Sequence, residues 1–305
     1  MLKEEVNRMT VWKSPLRYPG GKYKMLKFVK QILIENEITG AYIEGFAGGA
    51  GIAINLLLND IVDEIVLNDL DIALYSFWKS VAHQNTSFIE LFNETPVNID
   101  EWHNQKNIFD RLSNREKLSL TDELQLGFAT YFLNRTNFSG IIRGATPIGG
   151  LQQNGKWKMD CQFNKDRLRP LLEQIGTKSE KITVSQLNMV KDFDKLVPEK
   201  IDSNNSLIFI DPPYIKEGRR LYLPIKELDD HKELAKHIMD TERKWILTYD
   251  LHEEVLPMYN RVIQKFQYQL RYYVKSKRNE VEFLAISDNL LFPAVPELNN
   301  LKPLV

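Results

Sequence analysis

Short apolar runs alternate with amphipathic segments at the start of the chain. Apolar side chains fall on one face of residues 22–36, which predicts an amphipathic helix there. Apolar runs predict strands over residues 42–44 and 64–67, and a helix over residues 52–58 lies between them. This order of strands and helices is typical of an α/β domain with a parallel sheet.

The same alternation resumes after residue 181. The predicted elements are strands at 182–185, 207–210 and 245–248, a helix at 229–241, and a closing antiparallel pair at 267–275 and 281–287. Residues 72–175 differ, because they are helical, aromatic and polar and contain no clear buried strand. The clearest helices in that stretch are residues 101–112 and 121–133.

These patterns predict one α/β domain with a mostly helical insertion. Residues 1–75 and 176–305 would form the α/β domain, and residues 76–175 would form the insertion. Within the insertion, residues 135–155 hold five glycines, one proline and little periodicity. We interpret that segment as a long functional loop or hairpin.

Composition narrows the class of protein. The chain has 305 residues, 43% hydrophobic and 27% charged, which suits a folded core, and its formal net charge is −1. A surface that binds nucleic acid must therefore be a local basic patch. Cys161 is the single cysteine, so no intramolecular disulfide can form, and no Cys/His cluster has zinc spacing. We expect no metal, no signal peptide, no membrane span and a cytoplasmic location.

The most informative motif is the tetrapeptide Asp211-Pro212-Pro213-Tyr214. It follows the apolar run 206–210, and two prolines cannot donate to a sheet ladder, so the strand must end there. Open α/β sheets bind ligands at the carboxyl ends of their strands. The Asp211 side chain, a carbonyl of the proline segment and the Tyr214 ring together suit a flat heterocycle with an exocyclic amine. A proline-rich turn with a capping Asp is the alternative.

A glycine-rich loop, residues 45–51, lies between a predicted strand and a predicted helix. Glycines let a ligand approach the backbone closely, and a helix N-terminus adds donors. Asp69 comes at the end of the next strand, where a carboxylate can bind ribose hydroxyls. The spacing lacks a full GxGxxG pattern, so a nucleoside cofactor such as S-adenosylmethionine is favoured over a dinucleotide. A structural tight turn is the alternative.

A second glycine pair precedes Lys22. Residues 19–22 read Pro-Gly-Gly-Lys and do not form a P-loop, because the upstream Gly and the following Ser/Thr are missing. Tyr18 or Lys22 could line a cofactor pocket, and a simple turn before the first helix is the alternative.

Together these segments resemble the Dam-like (D12 class) DNA adenine-N6 methyltransferases, in the order typical of that family. The resemblance extends over about residues 14–287. Five stretches carry it: Leu16-Arg17-Tyr18-Pro19-Gly20-Gly21-Lys22, Glu44-Gly45-Phe46-Ala47-Gly48-Gly49, Asn68-Asp69, Phe132-Leu133-Asn134-Arg135-Thr136-Asn137-Phe138-Ser139-Gly140 and Asp211-Pro212-Pro213-Tyr214.

The resemblance implies a Rossmann-like methyltransferase sheet that binds S-adenosylmethionine, with a target-recognition domain inserted into it. The residues it assigns to the cofactor are Tyr18, Lys22, Glu44, Phe46, Ala47, Gly48, Gly49, Asp69, Asn188 and Asp211. It assigns catalysis on the target adenine to Asp211, Pro212, Pro213 and Tyr214. Two departures matter: Gly45 stands where the family usually has Pro, and Gln186-Leu187-Asn188 stands where an acidic residue is expected. The contact with the adenine of the cofactor therefore falls to Asn188 or is missing.

The resemblance also places DNA contacts in the insertion. The residues it implies are Asn134, Arg135, Asn137, Ser139 and Arg143, and the local basic bias adds Lys156 and Lys158. Residues 135–169 contain seven Lys or Arg against two acids, which is what phosphate contact needs. Arg271, Lys275, Lys277 and Arg278 form a second basic cluster. A solvated protein face is the alternative for both clusters.

The expected reaction is direct methyl transfer to N6 of an adenine flipped out of duplex DNA. Asp211 and the Pro212 carbonyl would accept the amine hydrogens, and Cys161 lies far in sequence from this motif, against cytosine-C5 chemistry. Alternatives are an RNA substrate, cytosine N4, or a catalytically silent DNA-binding module. The expected partners are double-stranded DNA and, in a restriction-modification pair, an independently acting endonuclease. We expect a monomer, and the recognition sequence is not readable.

Overall fold

The computed structural model describes residues 12, 14–18, 21–214, 228–274, 276–298 and 300–304. Contacts between Cα atoms divide the chain into two compact units. The first, called the sheet unit here, comprises Lys22–Asp71 and Ser185–Val305. The second, called the helical unit, comprises Trp12–Gly21 and Ile72–Val184. The functions predicted for residues 76–175 and for the remainder of the chain stay predictions.

Strands of the described chain overlap all seven predicted strands, and an eighth, at Lys302–Pro303, has no predicted counterpart. They are β1 (Ala41–Glu44), β2 (Glu64–Asn68), β3 (Ile182–Ser185), β4 (Ser206–Ile210), β5 (Trp245–Asp250), β6 (Gln264–Val274), β7 (Ser276–Ile286) and β8 (Lys302–Pro303). Seven of them lie wholly in the sheet unit and neighbour one another in the order β2-β1-β4-β5-β7-β6-β8. The mixed α/β class and the closing antiparallel pair are confirmed.

The parallel strands bring their carboxyl ends to one edge of the sheet. β1 pairs in parallel with β2 and β4, and β4 pairs in parallel with β5. Glu44 is opposite Leu67 on one side and Phe209 on the other. The segments that follow these strands therefore start at the same edge, where ligands bind in open α/β sheets.

The sheet unit buries the central strands between apolar side chains. A short 3₁₀ turn over Lys22–Met25 leads into α1 (Leu26–Glu35), and α2 (Gly51–Leu58) follows the glycine loop. Every residue of β4 is buried, as expected for a central parallel strand.

The remaining α-helices of the described chain are divided between the two units. They are α3 (Ile72–His83), α4 (Asn85–Glu94), α5 (Ile99–Leu112), α6 (Leu120–Thr136) and α7 (Lys165–Thr177) in the helical unit, then α8 (Leu228–Asp240) and α9 (Val255–Met258) in the sheet unit. Side chains cap three of them, since Asn98, Ser119 and Asn164 each accept an N–H three residues on.

Helix α6 is the central helix of the helical unit. Twelve of its residues are buried, among them every residue from Leu126 to Thr136, so this part of the helix has no solvent-exposed face, in contrast to a surface helix. A Cβ on Gly127 would lie 2.5 Å from the Ser76 carbonyl oxygen of α3, so these two helices approach closely at that glycine. Phe77 stacks on Tyr131 with ring centroids 5.6 Å apart and continues the contact as an aromatic core.

Candidate active site

The glycine loop after β1 folds against the end of β2. The Ala47 amide donates to the Asn68 carbonyl oxygen at 2.8 Å, and the Gly48 amide donates to Asp69 Oδ2 at 2.9 Å. Gly48 has a φ of 46°, a left-handed conformation that glycine adopts at little cost. The loop is therefore a tight turn held by its neighbour strand, and its backbone leads directly into the N-terminus of α2.

Asn68, the residue before Asp69, fixes two loops at once. It is 1% exposed. Its Nδ2 donates to the Gly45 and Leu187 carbonyls at 2.9 and 3.1 Å. Its Oδ1 accepts from the Leu187 amide at 2.8 Å and from Ser185 Oγ at 2.9 Å. Sequence reasoning gave Asn68 no role of its own, although a polar residue at a buried strand end was the signal.

The carboxylate of Asp69 lies at the predicted strand end and is half-buried. Oδ2 accepts from Gly48, and Oδ1 accepts from the Asp71 amide at 3.0 Å. Asn188 is also half-buried, and its Oδ1 accepts from the Val190 amide at 3.0 Å, which forms an Asx turn. The predicted contacts of both residues with a cofactor stay predictions.

Glu44 ends β1 beneath the glycine loop and is 5% exposed. Its Oε1 accepts from the Ala53 amide, in the first turn of α2, at 3.1 Å. Burial, together with the smaller effect of the negative charge of Asp211, raises the pKa of the Glu44 carboxyl to about 8. The Ala53 hydrogen bond opposes this shift. At neutral pH the protonated form of this side chain therefore predominates.

Gly45, one of the two departures from the family pattern, continues the sheet ladder by one bond. Its amide donates to the Phe209 carbonyl at 3.0 Å. Proline has no amide hydrogen and could not make this bond. A Cβ at Gly45 would meet only ordinary contacts near 3.7 Å, with Leu196 and Met189. The ladder bond, rather than a lack of space, distinguishes Gly45 from a proline.

The predicted catalytic residue Asp211 directly follows β4, and its side chain is 21% exposed. Oδ1 accepts from Thr248 Oγ1 at 2.8 Å, and Oδ2 lies 3.1 Å from Lys22 Nζ. Burial raises the pKa of the Asp211 carboxyl above its ordinary value, while Lys22 opposes that shift. Both oxygens of this carboxylate are thus oriented by neighbouring side chains.

Tyr214 completes the motif and lies beside a second tyrosine. The rings of Tyr214 and Tyr249 are stacked at 6.1 Å between centroids, with 23° between planes. The Tyr249 hydroxyl is hydrogen-bonded to His231 Nδ1 from α8. The Lys22 ammonium lies 4.9 Å from the centroid of the Tyr214 ring. Pro212 is buried and Pro213 is half-buried.

Lys22 has a second carboxylate neighbour that sequence reasoning missed. Glu282 of β7 is 1% exposed, and its Oε2 lies 3.7 Å from Lys22 Nζ. The same oxygen accepts a hydrogen bond from the Tyr268 hydroxyl of β6. An acid within the otherwise apolar run 281–286 was the available signal, but its partner lies 260 positions earlier in the chain.

In the helical unit, the Asn134–Gly140 motif holds its own backbone. Asn134 Oδ1 accepts from the Arg17 amide at 2.7 Å, and its Nδ2 donates to the Arg17 and Gly140 carbonyls at 3.0 and 2.8 Å. Asn137 Oδ1 accepts from the Trp102 indole at 2.7 Å. Tyr18, half-buried, accepts from the Gly21 amide through its carbonyl at 3.2 Å.

The residues predicted to contact DNA differ widely in exposure. Asn134, Arg135 and Asn137 are at most 5% exposed, and Arg135 Nη2 donates to the Ser14 carbonyl at 3.5 Å. Ser139 is half-buried and has a φ of 57°. The solvent-facing members of the set are Arg143, Lys156 and Lys158. Exposure thus separates the buried side chains of this set from those that face solvent. The predicted contacts with DNA stay predictions.

Two further features of the helical unit bear on this loop. The Arg143 guanidinium lies 5.2 Å from the centroid of the Phe109 ring, and Lys156 Nζ lies 5.7 Å from that of Trp157. Trp157 is 64% exposed.

The second basic cluster lies outside the described residues at Lys275, and the side chains of Arg271, Lys277 and Arg278 are not described.

A nucleoside cofactor suits the side chains around the glycine loop. The loop bends through a left-handed glycine, Asp69 presents a half-buried carboxylate beside it, and the Phe46 ring is only partly buried. Carboxylates attract a cationic ligand, and a glycine backbone without side chains lets a phosphate-free ligand approach closely.

Among the described residues, no group of three or more His, Cys, Asp or Glu could hold a metal ion. None of the described helices is both long and apolar enough to cross a bilayer.

Comparison with known proteins identifies the family. A family model described as D12 class N6 adenine-specific DNA methyltransferase matches residues 18–268. The chain is also 24% identical over 204 residues to Modification methylase StsI of Streptococcus sanguinis, an alignment that covers 67% of this chain and 29% of that protein. The chain thus spans under a third of this relative. Because the family model covers most of the chain, the chain belongs to the D12 class N6 adenine-specific DNA methyltransferases.

Proposed function

We propose that this protein is a site-specific DNA methyltransferase that methylates N6 of an adenine flipped out of duplex DNA. One observation carries the proposal. Asp211 is held at the carboxyl edge of the sheet between Thr248 and Lys22, and the stacked Tyr214 ring follows three residues later. A carboxylate and an aromatic face so close in sequence suit an aminated heterocycle. Family membership supports adenine as that heterocycle.

The cofactor would be S-adenosylmethionine, which methyltransferases of this kind generally use. When bound, it supplies an electrophilic methyl group on a positively charged sulfur. Phe46, Ala47, Gly48 and Gly49 would wrap it, and Asp69 would accept from its ribose hydroxyls. We also assign Tyr18, Lys22, Glu44 and Asn188 to this ligand, as the resemblance implies.

The chemical task of Asp211 is to accept a hydrogen from the adenine amine. The N6 lone pair is delocalised into the ring, so the amine is a poor nucleophile. Hydrogen bonds to Asp211 and to the Pro212 carbonyl would favour a pyramidal nitrogen and localise that lone pair. Transfer then depends on alignment more than on acid assistance, because the leaving group is a neutral thioether.

The role of Tyr214 would be to stack on the extrahelical base. Adenine in a duplex is paired and cannot reach a pocket at the sheet edge, so the nucleotide must rotate out of the helix. The Tyr249 ring supports Tyr214 from one side, and the His231 hydrogen bond fixes Tyr249. A preformed aromatic platform of this kind orders the base without the entropy cost of ordering the platform itself.

DNA recognition would fall to the helical unit. Three of its basic side chains are exposed, namely those of Arg143, Lys156 and Lys158, whereas Arg135 is buried. We assign base contact to Arg143 and phosphate contact to the two lysines, with Ser139 at the loop. Asn134 and Asn137 would act mainly by holding that loop, since their Nδ2 atoms donate to the Gly140 and Ile141 carbonyls. Arg135 would instead hold the Ser14 carbonyl.

The test is Asp211→Ala, with Asp211→Asn as a second variant of similar volume. We expect both to lose methyl transfer at least 100-fold, while cofactor affinity stays within a few-fold of wild type. Transfer would be followed with tritiated S-adenosylmethionine, and binding by calorimetry. Asp229→Ala is the matched control, since Asp229 lies in the same unit with an 89% exposed side chain. Wild-type turnover in either Asp211 variant would refute the role.

The product identifies the substrate. Hydrolysed DNA from the assay should contain N6-methyladenine, and the same protein should leave structured RNA of matched length unmodified. Methylation of cytosine N4, or preferential labelling of RNA, would replace the proposed substrate. Sequencing of DNA from a host that expresses the protein, by a modification-sensitive method, would give the target site. Monomeric state, cytoplasmic location and an independent endonuclease partner stay predictions.

A further inference from the structure

Lys22 lies between two carboxylates in the interior of the sheet unit. Its Nζ is 3.1 Å from Asp211 Oδ2 and 3.7 Å from Glu282 Oε2. The side chains of Lys22 and Glu282 are 5% and 1% exposed. Glu282 comes from the antiparallel strand β7, whereas Asp211 follows the parallel strand β4. The two carboxylates therefore reach one ammonium from different parts of the sheet.

A hydrogen bond holds Glu282 in place. The Tyr268 hydroxyl of β6 donates to Glu282 Oε2, and Tyr268 is fully buried. Tyr268 lies directly opposite Glu282 in the β6–β7 ladder, so strand register sets this contact. Met25 Sδ lies 3.5 Å from the same hydroxyl. The Glu282 carboxyl is thus held in a fixed position.

Two carboxyl groups act on the pKa of the single Lys22 ammonium. Burial by itself lowers the pKa of the Lys22 ammonium, but Asp211 and Glu282 together raise it above its ordinary value. Lys22 stays charged and has two anions to contact. An ammonium that paired with Asp211 alone would draw on the lone pairs of the Asp211 oxygen that must accept the amine hydrogen. It would therefore weaken Asp211 as a hydrogen-bond acceptor.

We propose that Glu282 is a positioning residue for methyl transfer, which holds Lys22 so that Asp211 remains available to the adenine amine. This inference rests on the proposed function. Glu282 would not touch the substrate, because it is buried and acts through Lys22. It lies beyond the residues that the family model matches, which end at residue 268.

The expected signature is electrostatic. Asp211 and Glu282 both lie against the same nitrogen, within about 7 Å of each other, so a charge at one makes ionisation of the other harder. Asp211 also interacts electrostatically with Lys22, Glu44, Tyr42 and Tyr249. Lys22 favours ionised Asp211, and the negative charge of Asp211 in turn raises the pKa of each of the other three groups.

The test is Glu282→Gln, which keeps the shape of the side chain and an oxygen for Tyr268. Single-turnover methyl transfer would be measured against pH at saturating cofactor. We expect the acidic midpoint, set by protonation of Asp211, to fall by about one pH unit. The rate on the plateau should fall about 10-fold, and cofactor affinity should stay within two-fold. A profile that superimposes on wild type, or one lowered equally at every pH, would overturn the proposal.

Two variants separate charge from packing. Tyr268→Phe removes the hydroxyl but keeps the charge, so its midpoint should stay within about 0.3 pH units, roughly a third of the shift expected for Glu282→Gln. A midpoint shift as large as that of Glu282→Gln would overturn the proposal. Glu297→Gln is the exposed control, since its partner Lys27 lies on the surface, and it should match wild type.

Glu282→Asp covers the case in which the Gln variant fails to fold. It keeps the charge and withdraws it by one methylene, so the plateau rate should fall several-fold with little change in midpoint. A wild-type plateau in this variant would overturn the proposal. Failure of the proposed function is a separate result, because wild-type protein would then transfer no methyl to adenine at all.

Discussion

The substitution Glu44→Gln should stabilise the protein at neutral pH. Glu44 is 5% exposed, and burial raises the pKa of its carboxyl to about 8. The folded protein therefore favours the protonated side chain, whereas the unfolded chain ionises it near the ordinary value of 4.5. Glutamine has the same shape, carries no charge at any pH, and retains an oxygen that can accept from the Ala53 amide.

The magnitude follows from proton linkage. A raised carboxyl pKa means that the folded state binds more protons than the unfolded state, so stability falls as pH rises from about 4.5 to about 8. Each pH unit in that window costs roughly 1.4 kcal/mol for a single site. At pH 7 the full shift would cost about 3 kcal/mol, and relaxation around the buried charge reduces this to about 2–3 kcal/mol.

The assay is urea unfolding of wild type and Glu44→Gln at several pH values between 4.5 and 8. The difference in unfolding free energy should be small at pH 4.5 and should grow steadily to about 2–3 kcal/mol at pH 7. Glu297→Gln, at an exposed site, should give a difference within about 0.5 kcal/mol across the range. Parallel curves for wild type and Glu44→Gln, or a difference that shrinks as pH rises, would refute the reasoning.

The remaining predictions concern the helical unit. Gly140→Ala should destabilise the protein by about 1–2 kcal/mol more than Gly144→Ala in thermal unfolding. Gly140 and Gly144 have φ values of +74° and +70°, so both backbones are left-handed. A Cβ on Gly140 would lie 2.3 Å from the Arg17 carbonyl oxygen, whereas a Cβ on Gly144 would meet nothing within 4 Å. Equal losses in the two variants would therefore contradict the packing argument. Arg143→Ala should relax sequence specificity by about 1–3 kcal/mol, whereas Lys156→Ala should weaken binding on all sequences. Competition binding to cognate and non-cognate duplexes distinguishes them, and equal losses for both variants would contradict base reading by Arg143.

The parallel strands and the residues at their carboxyl ends were predictable from the sequence. Runs of buried apolar residues mark β1, β2 and β4, and the polar residues that follow them must meet at one edge because parallel strands start and end together. The sequence pattern therefore predicts Asp69 and Asp211 at this edge, and the order of the strands suffices for that placement.

Other parts of the site depend on tertiary contacts that a local pattern does not contain. Glu282 reaches Lys22 only because β7 pairs with β5 and β6, and no spacing rule joins positions 22 and 282. A count of charges over residues 135–169 treats Arg135 and Arg143 alike. The structure separates them, because Arg135 belongs to the buried helix α6 and Arg143 to an exposed turn. Burial, not composition, decides which of these cations faces solvent.

The buried charges at the sheet edge explain why the predicted stability gain of Glu44→Gln would carry a functional cost. With Glu44 protonated at neutral pH, Asp211 and Glu282 leave one negative charge beyond what Lys22 neutralises. An excess of negative charge opposes folding when the site is empty and favours a cationic ligand. A cation near Glu44 would also make that carboxyl easier to ionise, so binding would release a proton. The stability that Glu44 removes from the free protein would thus be returned on binding, which a permanently neutral glutamine cannot do.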